Sequence, residues 1–151
     1  MRDSIGGIFN ITFVAIFMLV VSGYLAFSVS YNKAYKVKNK IISTLEQYEG
    51  YNNKSKEVIE SYMNNLGYNS GEVAASLKSS YDCCSNRGYC VKWVPDDNAD
   101  SVLPKGYYKV LTTVNIDVPI FNKFLPFMTF FQTTGDTMTI YVSGNPTTAS
   151  C

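Results

Sequence analysis

Residues 7–30, GIFNITFVAIFMLVVSGYLAFSVS, decide the fold. The stretch holds no Asp, Glu, Lys or Arg, and apart from Asn10 and Tyr24 its polar residues are few and small. At 1.5 Å rise per residue, about 20 such residues span the roughly 30 Å hydrocarbon core of a bilayer. In lipid every backbone N–H and C=O must find its partner within the segment, so a helix is the form available. The stretch reads as a transmembrane helix, and the remainder of the chain as a domain tethered to a membrane.

The helical pattern continues beyond the apolar run. Tyr31 and Tyr35 stand among Lys33, Lys36, Lys38 and Lys40, the aromatic and ammonium groups that mark passage from lipid to water. Ala34, Val37, Ile41, Leu45 and Tyr48 recur at spacings of 3, 4, 4 and 3, one apolar stripe with charged and polar residues on the other faces. Gly50 is the expected stop. A rod from Ile8 to Glu49 is about 60 Å long, half in lipid and half outside. The stripe packs either on its own domain or against copies and partner helices, and the pattern alone leaves both open. The division expected is therefore 1–30 as N-terminal segment and membrane helix, 31–50 as its helical extension, and 51–151 as one small domain.

Two features of the N-terminal region bear on topology. A cleaved secretory signal is the rival reading, with small residues at Ala26, Ser28 and Ser30. The apolar run is longer than a usual signal core and the residues before it are barely basic, so an uncleaved anchor is expected. Orientation sets two rules against each other. Four lysines come after the run whereas Arg2 precedes it, offset by Asp3, which by the positive-inside rule puts the domain in the cytoplasm. The cysteines argue the opposite, and the expectation sides with them: a single-pass protein of the cell membrane with its C-terminal domain extracytoplasmic.

Those cysteines are Cys83, Cys84, Cys90 and Cys151, an even number without the CxxC spacing of a zinc site. Disulfides in an oxidising compartment are the better reading. Neighbouring Cα atoms lie about 3.8 Å apart, too close for ordinary disulfide geometry between Cys83 and Cys84. Two pairings remain open: Cys83–Cys90 with Cys84–Cys151, or Cys83–Cys151 with Cys84–Cys90.

Within the domain, Ser55 is placed to cap a helix that buries Val58, Ile59, Tyr62, Met63 and Leu66, with Gly67 ending it. Residues 72–78 read as a short helix or as a strand over 73–77. Asn86, Arg87 and Gly88 form a turn, and 90–94 a short strand closed by Pro95. The plainest β signal alternates Tyr108, Val110, Thr112, Val114, Ile116 and Val118 on one face with Tyr107, Lys109, Leu111, Thr113, Asn115 and Asp117 on the other. Gly135 and Asp136 read as a turn, and 136–143 alternates again. The two strands are expected to pair antiparallel. Between them lies an excursion, IFNKFLPFMTFF, carrying Phe121, Phe124, Leu125, Phe127, Phe130 and Phe131. It either folds under the sheet or forms a surface for membrane or partner. The fold class expected is α+β: a long membrane helix continuing into a domain with a short helix and an antiparallel sheet.

Chemistry is thinly provided for. The chain has no histidine, so the usual general base and catalytic metal ligand are missing. No glycine-rich phosphate loop or convincing carboxylate pair stands out, and neither an enzyme nor a small-molecule substrate nor a cofactor is expected. Net charge is +1, and the lysines gather near the apolar run rather than in a folded patch, which argues against nucleic acid. Asp96, Asn98 and Asp100 space oxygen ligands as a calcium loop begins. Ser101 then stands where the loop needs glycine and Tyr107 where it needs glutamate, so a solvated acidic turn is expected.

The arrangement resembles pilin-like proteins. The strand KVLTTVNIDVPI, the apolar excursion with Pro126 and the returning GDTMTIYVSG look like the TadE-like minor pseudopilins of tight-adherence pilus systems. The likeness covers the first 50 residues and about 40 near the C-terminus. The seven residues MRDSIGG stand where a prepilin leader would, yet the fifth residue after Gly7 is Thr12, where pilin-like helices carry a glutamate. The resemblance implies a structural or assembly subunit of a pilus or secretion filament, whose partners are the lipid bilayer and other pilin-like subunits or pilus assembly proteins. From the residues alone, an anchored extracytoplasmic binding or sensor domain is the alternative.

Overall fold

A computed structural model describes residues 2–68, 71, 73–96, 103–115, 130–142 and 146. Its spine is α1, Arg2–Gln47, an unbroken helix of 46 residues and so about 69 Å long. The chain leaves it through Glu49 and Gly50, both at positive φ, with the Gly50 N–H donating to the Leu45 carbonyl. A short connection then leads to α2, Asn53–Leu66. Its N-cap is Asn52, not Ser55 as the sequence suggests. Ser55 is the other half of a capping box: the Ser55 N–H donates to Asn52 Oδ1 and the Asn52 N–H to Ser55 Oγ, each at 2.9 Å. Gly67 ends α2 in the left-handed conformation, as expected.

A turn and one short helix, α3 (Ala75–Lys78), lead into the sheet. Strand β1 (Cys83–Ser85) turns through residues 86–88 into β2 (Tyr89–Pro95), which pairs antiparallel with β3 (Lys105–Asn115). On its other side β3 pairs antiparallel with β4 (Phe130–Asp136), and its first two residues also pair with β5 (Ile140–Tyr141). The strand order is β1-β2-β3-β4. The architecture is α+β, as the periodicities predict.

The returning strand is the main departure. The sequence places a turn at Gly135 and Asp136; instead they lie inside β4, opposite Val110 and Lys109. The reason is the helix crossing over them. A Cβ on Gly135 would sit 2.9 Å from Ile42 Cδ1 and 3.1 Å from Lys38 Cδ, so glycine here lets α1 lie close on the strand. The break comes later, at Thr137, whose N–H donates to the Tyr108 carbonyl while its hydroxyl accepts from the Tyr108 N–H, both at 2.9 Å.

The core lies between α1 and the sheet. Ala34, Val37, Ile41 and Leu45 are fully buried, beside Ile59 and Met63 of α2, against Tyr89, Val91, Tyr108, Val110 and Val114. Burying a side chain of the size of Val, Ile or Leu contributes about 1.5–3 kcal/mol. Strand β3 is not half-buried as its alternation suggests. Leu111 and Thr113 on its second face are buried too, with Val73 and Cys90 and the partly buried Leu77 and Tyr81 packed against Leu111.

Candidate functional site

The feature most open to a functional reading is the first half of α1. From Phe9 to Val21 every side chain is exposed, Phe17 at 60 %, although nearly all are apolar. Water does not tolerate such a surface at this extent, and a soluble domain rarely carries one. The helix is long and apolar enough to cross a membrane. One of its small polar groups is provided for internally: Ser22 Oγ donates to the carbonyls of Met18 and Leu19, at 2.9 and 3.0 Å.

The other half of the same helix serves the domain. The expected interface stripe is fully buried at Ala34, Val37, Ile41 and Leu45, and half-buried at Tyr48. Of the two ways of using it, packing on the chain's own domain is the one the structure has. Contact between domain and helix starts higher than the stripe suggests. Phe27 lies seven residues before Ala34, hence on the same face. It meets Tyr31 in a stacked pair at 6.0 Å and Phe131 of β4 edge-to-face at 5.1 Å. Below them Lys38 Nζ sits 4.5 Å from the Tyr35 ring centroid and reaches the Thr134 carbonyl at 3.5 Å. Helical i, i+4 spacing accounts for the first aromatic contact but not for the second. For the pair of Phe27 with Phe131 the only signal in the sequence is that both residues are phenylalanine, at ends of segments that periodicity does not align.

The cysteines meet across a hairpin. Cys84 and Cys90 are register partners in β1 and β2 with Cα atoms 4.0 Å apart, and they form a disulfide. Cys83 is disulfide-bonded as well. The Cys84–Cys90 bridge rules out the pairing of Cys83 with Cys90, and Cys151 lies outside the described residues.

Three tyrosines close the gap between the end of α1 and the sheet. The Tyr51 and Tyr89 hydroxyls share a hydrogen bond at 3.1 Å, and Tyr108 Oη accepts from the Tyr51 N–H at 3.2 Å while donating to the Pro146 carbonyl. Burial pushes the pKa of all three phenols above the ordinary tyrosine value, and for Tyr51 the neighbouring Tyr89 adds to it. These hydrogen bonds brace the end of α1 against the sheet.

Asp96 pairs with Lys105 at 3.3 Å and its N–H donates to the Lys105 carbonyl, so it closes the β2–β3 connection. Its expected partners in a calcium loop, Asn98 and Asp100, lie outside the described residues. So do Phe121, Phe124, Leu125 and Phe127 and the side chain of Phe130, whereas Phe131 is 36 % exposed. Among the described residues no three metal-ligating side chains gather. A cleft of about 230 Å³ lies between α2 and the β1–β2 turn, walled by Lys56, Glu60 and Arg87.

Comparison of the chain with protein-family models, with curated proteins and with solved structures gives no match.

Proposed function

We propose that this protein is a membrane-anchored, pilin-like structural or assembly subunit, akin to the TadE-like proteins its sequence resembles, which acts by packing rather than by chemistry. One observation carries the reading. A single unbroken helix is bare and apolar through its first half and is the spine of the domain through its second. Such a helix holds the subunit in lipid before assembly and offers an apolar face to neighbouring helices afterwards. The Cys84–Cys90 disulfide supports an extracytoplasmic domain, because disulfides persist outside the reducing cytosol.

The reading is tested by tagging the full-length protein at its natural expression level and recovering it from detergent-solubilised membranes after cross-linking. Other pilin-like subunits or pilus assembly proteins are expected among the cross-linked partners. Integration into the membrane as a monomer, with no such partner, defeats it. A binding or sensor domain is the second reading, favoured only by the cleft beside Arg87.

A further inference from the structure

The contact between Phe27 and Phe131 fixes where the sheet stands relative to the membrane. Counted at 1.5 Å per residue from Phe9, the roughly 30 Å of a hydrocarbon core ends about one residue past Phe27. Phe27 is thus in the last lipid-embedded turn, and Phe131 lies against it with its ring centroid 5.1 Å away. No linker intervenes, because α1 runs unbroken from the apolar run into the core. The domain cannot swing away from the bilayer without bending that helix.

The sheet's direction agrees. Along α1 from Glu46 back to Phe27, the partners on the returning chain run from Met138 through Thr134 to Phe131. Nineteen residues of helix cover about 28 Å, and the seven-residue step along the returning chain, strand as far as Asp136, at most about 24 Å. The end of the sheet where Asn115 pairs with Phe130 therefore points towards the membrane. Around that end stand Tyr31 and Tyr35, both exposed, and Lys38 over the Tyr35 ring. Tyrosine and lysine are the side chains that settle at headgroup level.

We infer that the Phe131 end of the sheet is a lipid-contacting surface: it is seated in the headgroup layer of the bilayer that α1 crosses, forming one interfacial belt with Phe27, Tyr31 and Tyr35. The occupant is the lipid surface itself, continuous with the lipid around residues 9–28. The inference rests on the membrane reading of α1 and adds to it a fixed height and a fixed orientation for the domain.

The chain's single tryptophan makes the test direct. Trp93 pairs with Tyr108, whereas Phe131 pairs with Val114, about 20 Å further along β3. The full-length protein is reconstituted into phosphatidylcholine vesicles brominated either near the headgroups or near the bilayer centre. Native Trp93 emission is expected to be unaffected by either lipid. In a Phe131→Trp variant about half of the added emission is expected to be lost to the shallow bromines, with less lost to the deep ones. A Phe17→Trp variant reports on the span and is expected to be quenched by the deep bromines. Gln132→Trp, one residue along β4, reads the same height should Phe131→Trp fail to fold. Quenching at position 17 with none at 131 or 132 overturns the seat while leaving the anchor standing. No quenching at any of the three positions overturns the anchor, and the seat with it.

Discussion

Thr44 is the one buried side-chain group whose hydroxyl finds no hydrogen-bond partner among the described residues. It sits in α1 at 1 % exposure beside Leu45, so its hydroxyl has given up water for nothing in return. Valine has the same shape and nearly the same helix propensity without that group. Thr44→Val is expected to stabilise the domain by about 1 kcal/mol, a rise in melting temperature of roughly 3–5 °C for a domain of this size. A thermal melt in mild detergent reads it, and an unchanged or lowered midpoint contradicts the assignment. The buried tyrosines give a pH dependence with a definite sign. Tyr51, Tyr89 and Tyr108 have folded pKa values raised above the unfolded value of about 10. Below that pH both states are protonated, and the contribution is fully present. Above it the unfolded chain releases protons that the fold retains, so stability falls as pH climbs, by up to about 1.4 kcal/mol per pH unit for each of these tyrosines. Chemical denaturation between about pH 8 and 11 is expected to show a flat region and then this decline.

At the scale of elements, the β1–β2 hairpin depends on its disulfide far more than β3 depends on anything local. Strand β1 has three residues and one neighbour, whereas β2 pairs with β3 along its whole length. The Cys84–Cys90 bridge closes a loop with a sequence separation of 6, for which chain entropy gives about 2 kcal/mol. Replacing both cysteines by alanine is expected to cost about that much and to expose β1 amides to hydrogen exchange while β2 and β3 stay protected. Loss of protection across the whole sheet would mean that the bridge holds more than its hairpin. Elements of this kind are legible in the sequence to different degrees, for physical reasons. The spacing of Ala34, Val37, Ile41 and Leu45 shows the buried face of α1 because helical period and burial coincide there. The alternation over Tyr108, Val110, Thr112 and Val114 shows β3 in the same way. Gly135 misleads because a glycine beside an aspartate favours a turn locally, and its actual role is set by Ile42 and Lys38 on a helix some 90 residues away. Leu111 and Thr113 look solvent-facing because a two-residue period says nothing about whether the second face is covered. The contact of Phe27 with Phe131 has no local trace at all.

The whole molecule is organised by a helix that belongs to two environments, and its domain boundary is set by burial rather than by composition. Residues 31–50 read as an extension joining anchor to domain. In the structure Val37, Ile41 and Leu45 are fully buried in the domain's own core. At about 1.5–3 kcal/mol each, their removal approaches the entire stability of about 5–15 kcal/mol expected for a domain of this size. It would also leave Tyr89, Val91, Tyr108 and Val110 facing water. The boundary therefore lies near residue 30, where exposed apolar helix gives way to buried helix. A fragment of residues 31–151 is expected to be soluble without detergent and to unfold cooperatively, somewhat destabilised by losing the Phe27 contact. A fragment of residues 51–151 is expected to aggregate or to remain without fixed tertiary structure, as judged by near-ultraviolet dichroism and hydrogen exchange. A cooperative, soluble 51–151 would show that the sheet and α2 complete a core without the helix, and that α1 is only a tether. The opposite result makes the helix a rigid lever: any force or packing contact applied to its exposed apolar half reaches the sheet through Val37, Ile41 and Leu45 with no flexible joint between.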